Sequence, residues 1–337
     1  MYSNGQRDDL LSRVASLYYE YDYSQQEIAD MLRISRSNIS RLLKEAKLKG
    51  LVEIRVKKRI PTLPSLEIQF QERFGLKRAM IADLTVAPHL SPLPSAGQLA
   101  AWYLEEILRE SSVLAISWGT GVASAVQAMP SYPELRVDVV QMIGSVAAHV
   151  SNIDGPELAR QLARKLGGQY YYLHAPLFVD SPDARTMFLS QQTVTDTLDR
   201  ARKASVALVG VGTTAPGASS FLRAGHLSAE QVKDLLDQGA VGESSGQHFD
   251  IDGGTDFDIN RRVIALDLND VQRIPHVVAV ACGQAKGASI LGALRGGYIN
   301  ALATDVYTAE AVLEAEAQAG VPAHKPQKLL KLNRISK

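Results

Sequence analysis

Arg36, Ser37, Asn38, Ser40, Arg41 and Lys44 are crowded into one short segment and carry the side chains that hydrogen-bond nucleic acid. Arginine pairs bidentately with guanine, asparagine with adenine, and serine or lysine meets phosphate. To read DNA they must share one face of a helix, and the residues between them supply the other face. Ile39, Leu42, Leu43 and Ala46 follow the i, i+3, i+4, i+7 spacing of a buried stripe. Ser35 is a good N-cap for this helix, and Gly50 ends it. Ahead of it, Ser24 and Glu27 have the spacing of a capping box, opening a first helix at Gln25 on which Ile28 and Leu32 lie one turn apart. Arg33-Ile34-Ser35 is the break. Two capped helices around a tight turn make a helix-turn-helix, with Arg36, Ser37, Asn38 and Arg41 as base-edge candidates and Ser24, Gln25, Ser35, Ser40 and Lys44 as further DNA contacts.

The plainer alternative is a surface helical hairpin with scattered charge, and local charge decides against it. Residues 33–59 hold ten Lys or Arg against two acidic residues in a chain whose formal net charge is zero. Residues 1–60 carry a net +4 and the remainder −4, so only the first module seeks polyanions. Leu10, Val14, Leu17, Tyr18 and Tyr21 form a helical stripe able to brace the pair, and Val52, Ile54 and Val56 alternate with charged residues like the strand of a wing.

At 337 residues with 46% apolar content, the chain has room for this small module and a large second one. The boundary falls where Pro61 and Pro64 interrupt the pattern, giving a helix-turn-helix domain over 1–59, a linker over 60–65, an effector-binding and oligomerisation domain over 66–320, and a basic tail over 321–337. The tail reads as a solvated end or, less simply, as a second DNA contact. One cysteine, Cys282, leaves no internal disulfide and sits in an apolar run as a core residue. No signal peptide or apolar stretch of about twenty residues is present, so a soluble, cytoplasmic protein without a membrane partner is expected.

In the second module, apolar runs at 79–82, 113–117, 137–143, 170–173, 206–211, 263–266, 277–281 and 299–303 read as strands. Helices read at 66–74, 97–109, 122–129, 156–166, 193–203, 229–236 and 285–294 alternate with most of them. The fold class is therefore α/β, a doubly wound, mostly parallel sheet behind a winged helix-turn-helix. Ligands in such sheets sit outside the carboxyl ends of the strands. Ser117-Trp118-Gly119-Thr120-Gly121 is either a phosphate seat at a helix start or a plain tight turn. Gly210-Val211-Gly212-Thr213-Thr214-Ala215 is a weak dinucleotide fingerprint, because Pro216 and Gly217 interrupt the helix that should follow. Glu243 and Asp252 are acceptors suited to sugar hydroxyls, and Lys286 is a point charge for phosphate. The run Asp250, Asp252, Asp256, Asp258 is no EF-hand, since position 12 is Arg261, and the histidines lack metal-ligand spacing. No metal and no cofactor is expected, nor any catalytic set.

The order of motifs resembles the SorC family of bacterial sugar-responsive transcription regulators along nearly the whole chain. It runs from Gln-Gln-Glu-Ile-Ala in the helix-turn-helix through Ile-Ser-Trp-Gly-Thr, Val-Gly-Val-Gly and Val-Gly-Glu with Phe-Asp-Ile-Asp-Gly. Gly-Gln-Ala-Lys and Leu-Ala-Thr-Asp-Val-Tyr-Thr-Ala at 302–309 complete it. The resemblance implies an effector domain similar to sugar-phosphate isomerases and homo-oligomers, dimers or usually tetramers, on palindromic operators. These would be released or rearranged by a phosphorylated sugar or polyol. It places Gly119, Thr120 and Gly121 at one end of the effector, Gly144 and Ser145 after the next strand, Gly212 and Thr213 as a wall, and Glu243, Asp252 and Lys286 around the sugar. The chain departs from the family pattern at Ile143, where a basic residue often stands, and at Ser145 and Gln284, where glycine is common. The first departure favours a singly phosphorylated sugar or an uncharged polyol. A regulator is expected; the alternative is a sugar-phosphate isomerase or deaminase carrying a DNA-binding module, and no His-carboxylate constellation supports it.

Overall fold

The computed structural model describes residues 4–52, 60–145, 154–215, 217–223 and 225–320. The chain divides into two compact units, 1–59 and 60–337.

The first unit holds α1 (Asn4–Tyr19), α2 (Gln25–Leu32) and α3 (Arg36–Leu48). The capping box at Ser24 forms in both directions: Glu27 N donates to Ser24 Oγ at 3.2 Å and Ser24 N to Glu27 Oε2 at 2.8 Å. Arg33 closes α2 in the left-handed region at φ 54°, and Ser35 then caps α3 by accepting from Asn38 N at 3.3 Å. Leu11, Val14, Ile28, Ile39, Leu42, Leu43 and Ala46 form the core between the three helices. In the expected α1 stripe, Leu11 rather than Leu10 is the fully buried leucine, and Tyr21, beyond the end of α1, is 67% exposed. Arg7 grips Glu45 through two bonds of 2.8 and 2.6 Å, fixing α1 on α3. The expected wing strand falls on residues 53–59 and lies outside the described residues, as does the basic tail at 321–337.

Among the described residues, ten strands build the second unit: β1 (Arg78–Ala82), β2 (Val113–Ile116), β3 (Val137–Gln141), β4 (Gly167–Tyr171), β5 (Val206–Gly210), β6 (Gly212–Thr213), β7 (Ala240–Ser244), β8 (Gln247–Asp250), β9 (His276–Val280) and β10 (Ala301–Asp305). The helices are α4 (Pro64–Phe74), α5 (Pro92–Ile107), α6 (Thr120–Ala128), α7 (Gly155–Leu166), α8 (Pro182–Leu189), α9 (Gln192–Arg202), α10 (Ser220–Arg223), α11 (Ala229–Asp237), α12 (Leu268–Val271), α13 (Gly287–Arg295) and α14 (Val306–Ala319). Seven strands form one sheet in the order β1-β10-β9-β5-β2-β3-β4. Every pairing in it is parallel; Ala115 at its middle lies opposite Val140 on one side and Ala207 on the other. Strands buried on both faces need unbroken apolar sequence, which Val-Leu-Ala-Ile of β2 and Val-Val-Ala-Val of β9 supply. The chain runs outward from β2 through β3 to β4, then returns to lay β5 on the other side of β2. A crevice opens at such a reversal, outside the carboxyl ends of β2 and β5.

Two features depart from the expected pattern. The apolar run at 263–266 is no strand of the sheet. It is an extended strap making isolated bridges, Ile143 with Ala265 and Phe178 with Val263, and Leu266 N donates to Met142 O at 2.8 Å. Burial makes it apolar, but its partners are the segments after β3 and β4. Conversely, β6, β7 and β8 form a separate three-stranded antiparallel sheet where sequence suggested loops. In the segment expected to be a linker, Leu63 N donates to Ile81 O at 3.1 Å and Pro61 O accepts from Asp83 N at 2.8 Å, so these residues line the β1 edge.

Candidate functional site

On α3, Arg36, Ser37, Ser40, Arg41 and Lys44 are exposed, opposite the buried stripe, while Asn38 is half-buried. Arg41 donates through Nη2 to Asn38 Oδ1, which ties the two candidate base readers together. Ser24 and Ser35 use their hydroxyls as helix caps, and Gln25 is half-buried at the start of α2.

The second unit has a cavity of about 320 Å³ at the strand-order reversal. Ser117, Trp118, Gly119, Thr120 and Gly121 line it from the end of β2, and Gly210, Val211 and Gly212 from the end of β5. Gly119 has φ 109°, a conformation that hands the chain directly into α6. The first intrahelical bond is Ala123 N to Gly119 O, so the N–H groups of Thr120, Gly121 and Val122 have no acceptor within the helix. That is a seat for negative charge. Gly121 is required for packing: a Cβ there would lie 2.1 Å from Val280 O.

Opposite stands the β7–β8 hairpin with Glu243. A Cβ at Gly212 would lie 2.0 Å from Glu243 Oε1, so the glycine makes room for the carboxyl group. Burial lifts Glu243 to about 7, against the Gly246 N–H that donates to it at 3.0 Å and against the charge of Lys286. Lys286 donates to Val211 O at 2.8 Å; burial lowers its pKa while Glu243 opposes the change.

The structure therefore brings Gly119, Thr120, Gly121, Gly212, Glu243 and Lys286 to one space. Thr213 backs this wall, its hydroxyl donating to Ala285 O at 3.2 Å. Besides Thr213, three expected residues are not in the lining. Gly144 and Ser145 are taken up by the strap and its neighbours: Gly144 N donates to Ile264 O, and Ser145 bridges Pro176. Asp252 lies beyond β8 at the far end of the hairpin from Glu243 and pairs with Arg295 at 2.7 Å. Asp256 and Asp258 pair with Arg261, and burial, with Asp305 beside it, pushes the Cys282 thiol up, which disfavours the nucleophilic thiolate.

Residues 58–314 match the Sugar-bind family of sugar-binding domains, and residues 11–49 match region 4 of sigma-70. The chain is 32% identical over 309 residues to the deoxyribonucleoside regulator of Bacillus subtilis, covering 91% of this chain and 98% of that one. It is 30% identical to the sorbitol operon regulator of Klebsiella pneumoniae over 308 residues, covering 90% and 98%. The crystal structure of full-length SorC, that sorbitol operon regulator, superposes with a TM-score of 0.68 at 29% identity, covering 91% and 99%. The chain belongs to the SorC family.

SorC membership makes it a DNA-binding transcriptional regulator with a sugar-binding domain, as its relatives are regulators by name. Among the described residues, no helix is long and apolar enough to cross a membrane. Sequence reasoning about this SorC-family cavity missed Arg223 and Ser220 of α10, and it gave no role to Ser245 of the hairpin turn or to Trp118, which stand within its motifs. Arg223 carries no spacing signal, because a short helix far along the chain delivers it. Ser245 had only a Ser-Gly pair, which marks a turn but, without alternating apolar runs on either side, not a hairpin.

Proposed function

We propose that the cavity is the effector site of this regulator and that its occupancy controls the grip of α3 on an operator. The carrying observation is the cavity's polarity: an anion-favouring helix start with Lys286 and Arg223 on its lining, and Glu243 among the same walls. A singly phosphorylated sugar or polyol of a carbohydrate catabolic operon fits that arrangement. Its phosphate rests on the N–H groups of Thr120 and Gly121 with Lys286 as point charge, Gly119 shaping the turn, and its hydroxyls meet Glu243, while Gly212 and Thr213 form the wall.

In the reader, Arg36, Ser37, Asn38 and Arg41 face base edges, Ser40 and Lys44 meet phosphate, and Ser24, Gln25 and Ser35 approach the backbone at helix starts. The protein acts in the cytoplasm as a dimer or tetramer, so two copies of α3 meet half-sites of a palindrome about 10 bp, or a multiple, apart. The domains divide the work at residues 59 and 66, and the ligand shifts operator affinity only through different affinity for the competent and incompetent arrangements. Catalysis has no part in this reading.

The test is fluorescence anisotropy with a duplex selected by the full chain from a random pool, titrated with and without glucose-6-phosphate, fructose-6-phosphate, ribose-5-phosphate and sorbitol-6-phosphate. A change in operator affinity with at least one supports the reading. Unchanged affinity with all of them overturns it, and isomerised or deaminated product in the same mixtures would favour the enzyme alternative.

A further inference from the structure

Ser245 combines two unfavourable features. It occupies the first position of the two-residue turn between β7 and β8, flanked by the paired Ser244 and Gln247. Its φ is 53°, and Gly246 follows at 79°. Two successive positive φ values mark a type I′ turn, whose first position suits Asn, Asp or Gly, so a serine there carries backbone strain. Its hydroxyl is the second feature. Ser245 is only 3% exposed, and its Oγ meets no hydrogen-bond partner among the described residues. The neighbouring Ser244, by contrast, donates to Gly210 O at 3.0 Å. Buried hydroxyls are ordinarily paired.

Ser245 lines the cavity together with Glu243, and the Gly246 N–H bond to Glu243 Oε2 holds turn and carboxyl group as one unit. The hairpin thus sets Ser245 and Glu243 in the wall of one cavity from a single frame, with the unpaired hydroxyl buried in that wall. We propose that Ser245 is a specificity-determining residue of the effector site, its hydroxyl exchanging a hydrogen bond with one hydroxyl on the carbon chain of a sugar or polyol phosphate. This inference rests on the effector reading above and adds what the hairpin selects. A site built to pair a ligand hydroxyl rejects the analogue lacking it, because the protein group is then left buried and unpaired. The effector is therefore hydroxylated at the carbon that meets the hairpin, and its deoxy counterpart at that carbon is excluded.

Calorimetric titration of the full chain tests this, using wild type, Ser245→Ala and Ser245→Gly with the four sugar phosphates named above and the single-deoxy analogues of the tightest. Ligand-free thermal melts accompany it. The expected result is that the tightest sugar phosphate binds both variants about tenfold more weakly or worse. One deoxy analogue that wild type rejects should bind Ser245→Ala as well as its parent does. Without ligand, both variants should melt at or above the wild-type temperature, Ser245→Gly highest, because the glycine also relieves the positive φ. A lower melting temperature for ligand-free Ser245→Ala would mean the hydroxyl is already satisfied and would overturn the proposal. So would unchanged affinity in the variants, or survival of every deoxy penalty in Ser245→Ala. A wild type that binds none of the four sinks the effector reading itself; one that binds while the variants match it sinks only the role of Ser245.

Discussion

Glu243 releases its proton near 4.5 in an unfolded chain and near 7 in the fold, because burial penalises the carboxylate. Between those values the folded chain keeps a proton the unfolded chain has lost, so this residue's contribution to stability falls as pH rises through the window. The change is on the order of 3 kcal/mol. His248, buried and held neutral with its pKa lowered to about 4, works in the other direction and costs stability as pH falls from 6.5 toward 4. The two slopes oppose each other in wild type. Denaturant melts of Glu243→Gln should separate them: relative to wild type, the variant gains stability between pH 4.5 and pH 7, and a constant difference would show that the carboxyl group is not raised. In the reader, Arg36→Ala should relax preference at particular base pairs by about 1–3 kcal/mol, whereas Lys44→Ala should weaken all sequences alike and reduce the salt slope by about one. Binding to a panel of single-base operator variants distinguishes these outcomes; uniform weakening by Arg36→Ala would reassign that residue to phosphate.

At the scale of elements, α6 is the decisive one, since its start is both cavity wall and anion seat. It reaches the sheet only because Gly121 lets it pass over the end of β9. In Gly121→Ala the new Cβ would meet Val280 O, a backbone atom that cannot swing aside. Overpacking of this kind costs about 1–3 kcal/mol, and the displaced helix should no longer answer to sugar phosphate. Retained operator affinity with a lost response, read by anisotropy, is the expected outcome, and a normal response would remove the α6 start from the site. The same element was legible in sequence because its glycines follow an apolar strand directly. The β7–β8 hairpin was not: Gly242-Glu243-Ser244-Ser245-Gly246-Gln247 has neither alternation nor apolar content. Its residues are buried by neighbours distant in sequence.

For the whole molecule, linkage gives the magnitude. A sugar phosphate that binds only the folded state adds about 2.7 kcal/mol at a hundred times its dissociation constant. Thermal melts of the full chain across the sugar-phosphate panel should therefore show a concentration-dependent rise for the effector and none for sugars that leave operator affinity unchanged. A melting temperature raised equally by every phosphate, inorganic phosphate included, would reduce the cavity to an unselective anion site.

Local patterns determined the capped helix pair, the basic face of α3, the alternation of strand and helix, and the glycine turn after β2. Each depends on neighbours within a turn or two of the chain: a hydroxyl three residues from a carboxylate, apolar residues at helical spacing, an apolar run long enough for one strand. Only the tertiary structure decided that Arg223 and Ser245 join Glu243 and Lys286, that Asp252 turns away to Arg295, and that residues 263–266 strap loops rather than extend the sheet. Those outcomes follow from strand order and from which end of a hairpin faces the crevice. Pairings between segments scores of residues apart fix both, and no short-range pattern encodes them.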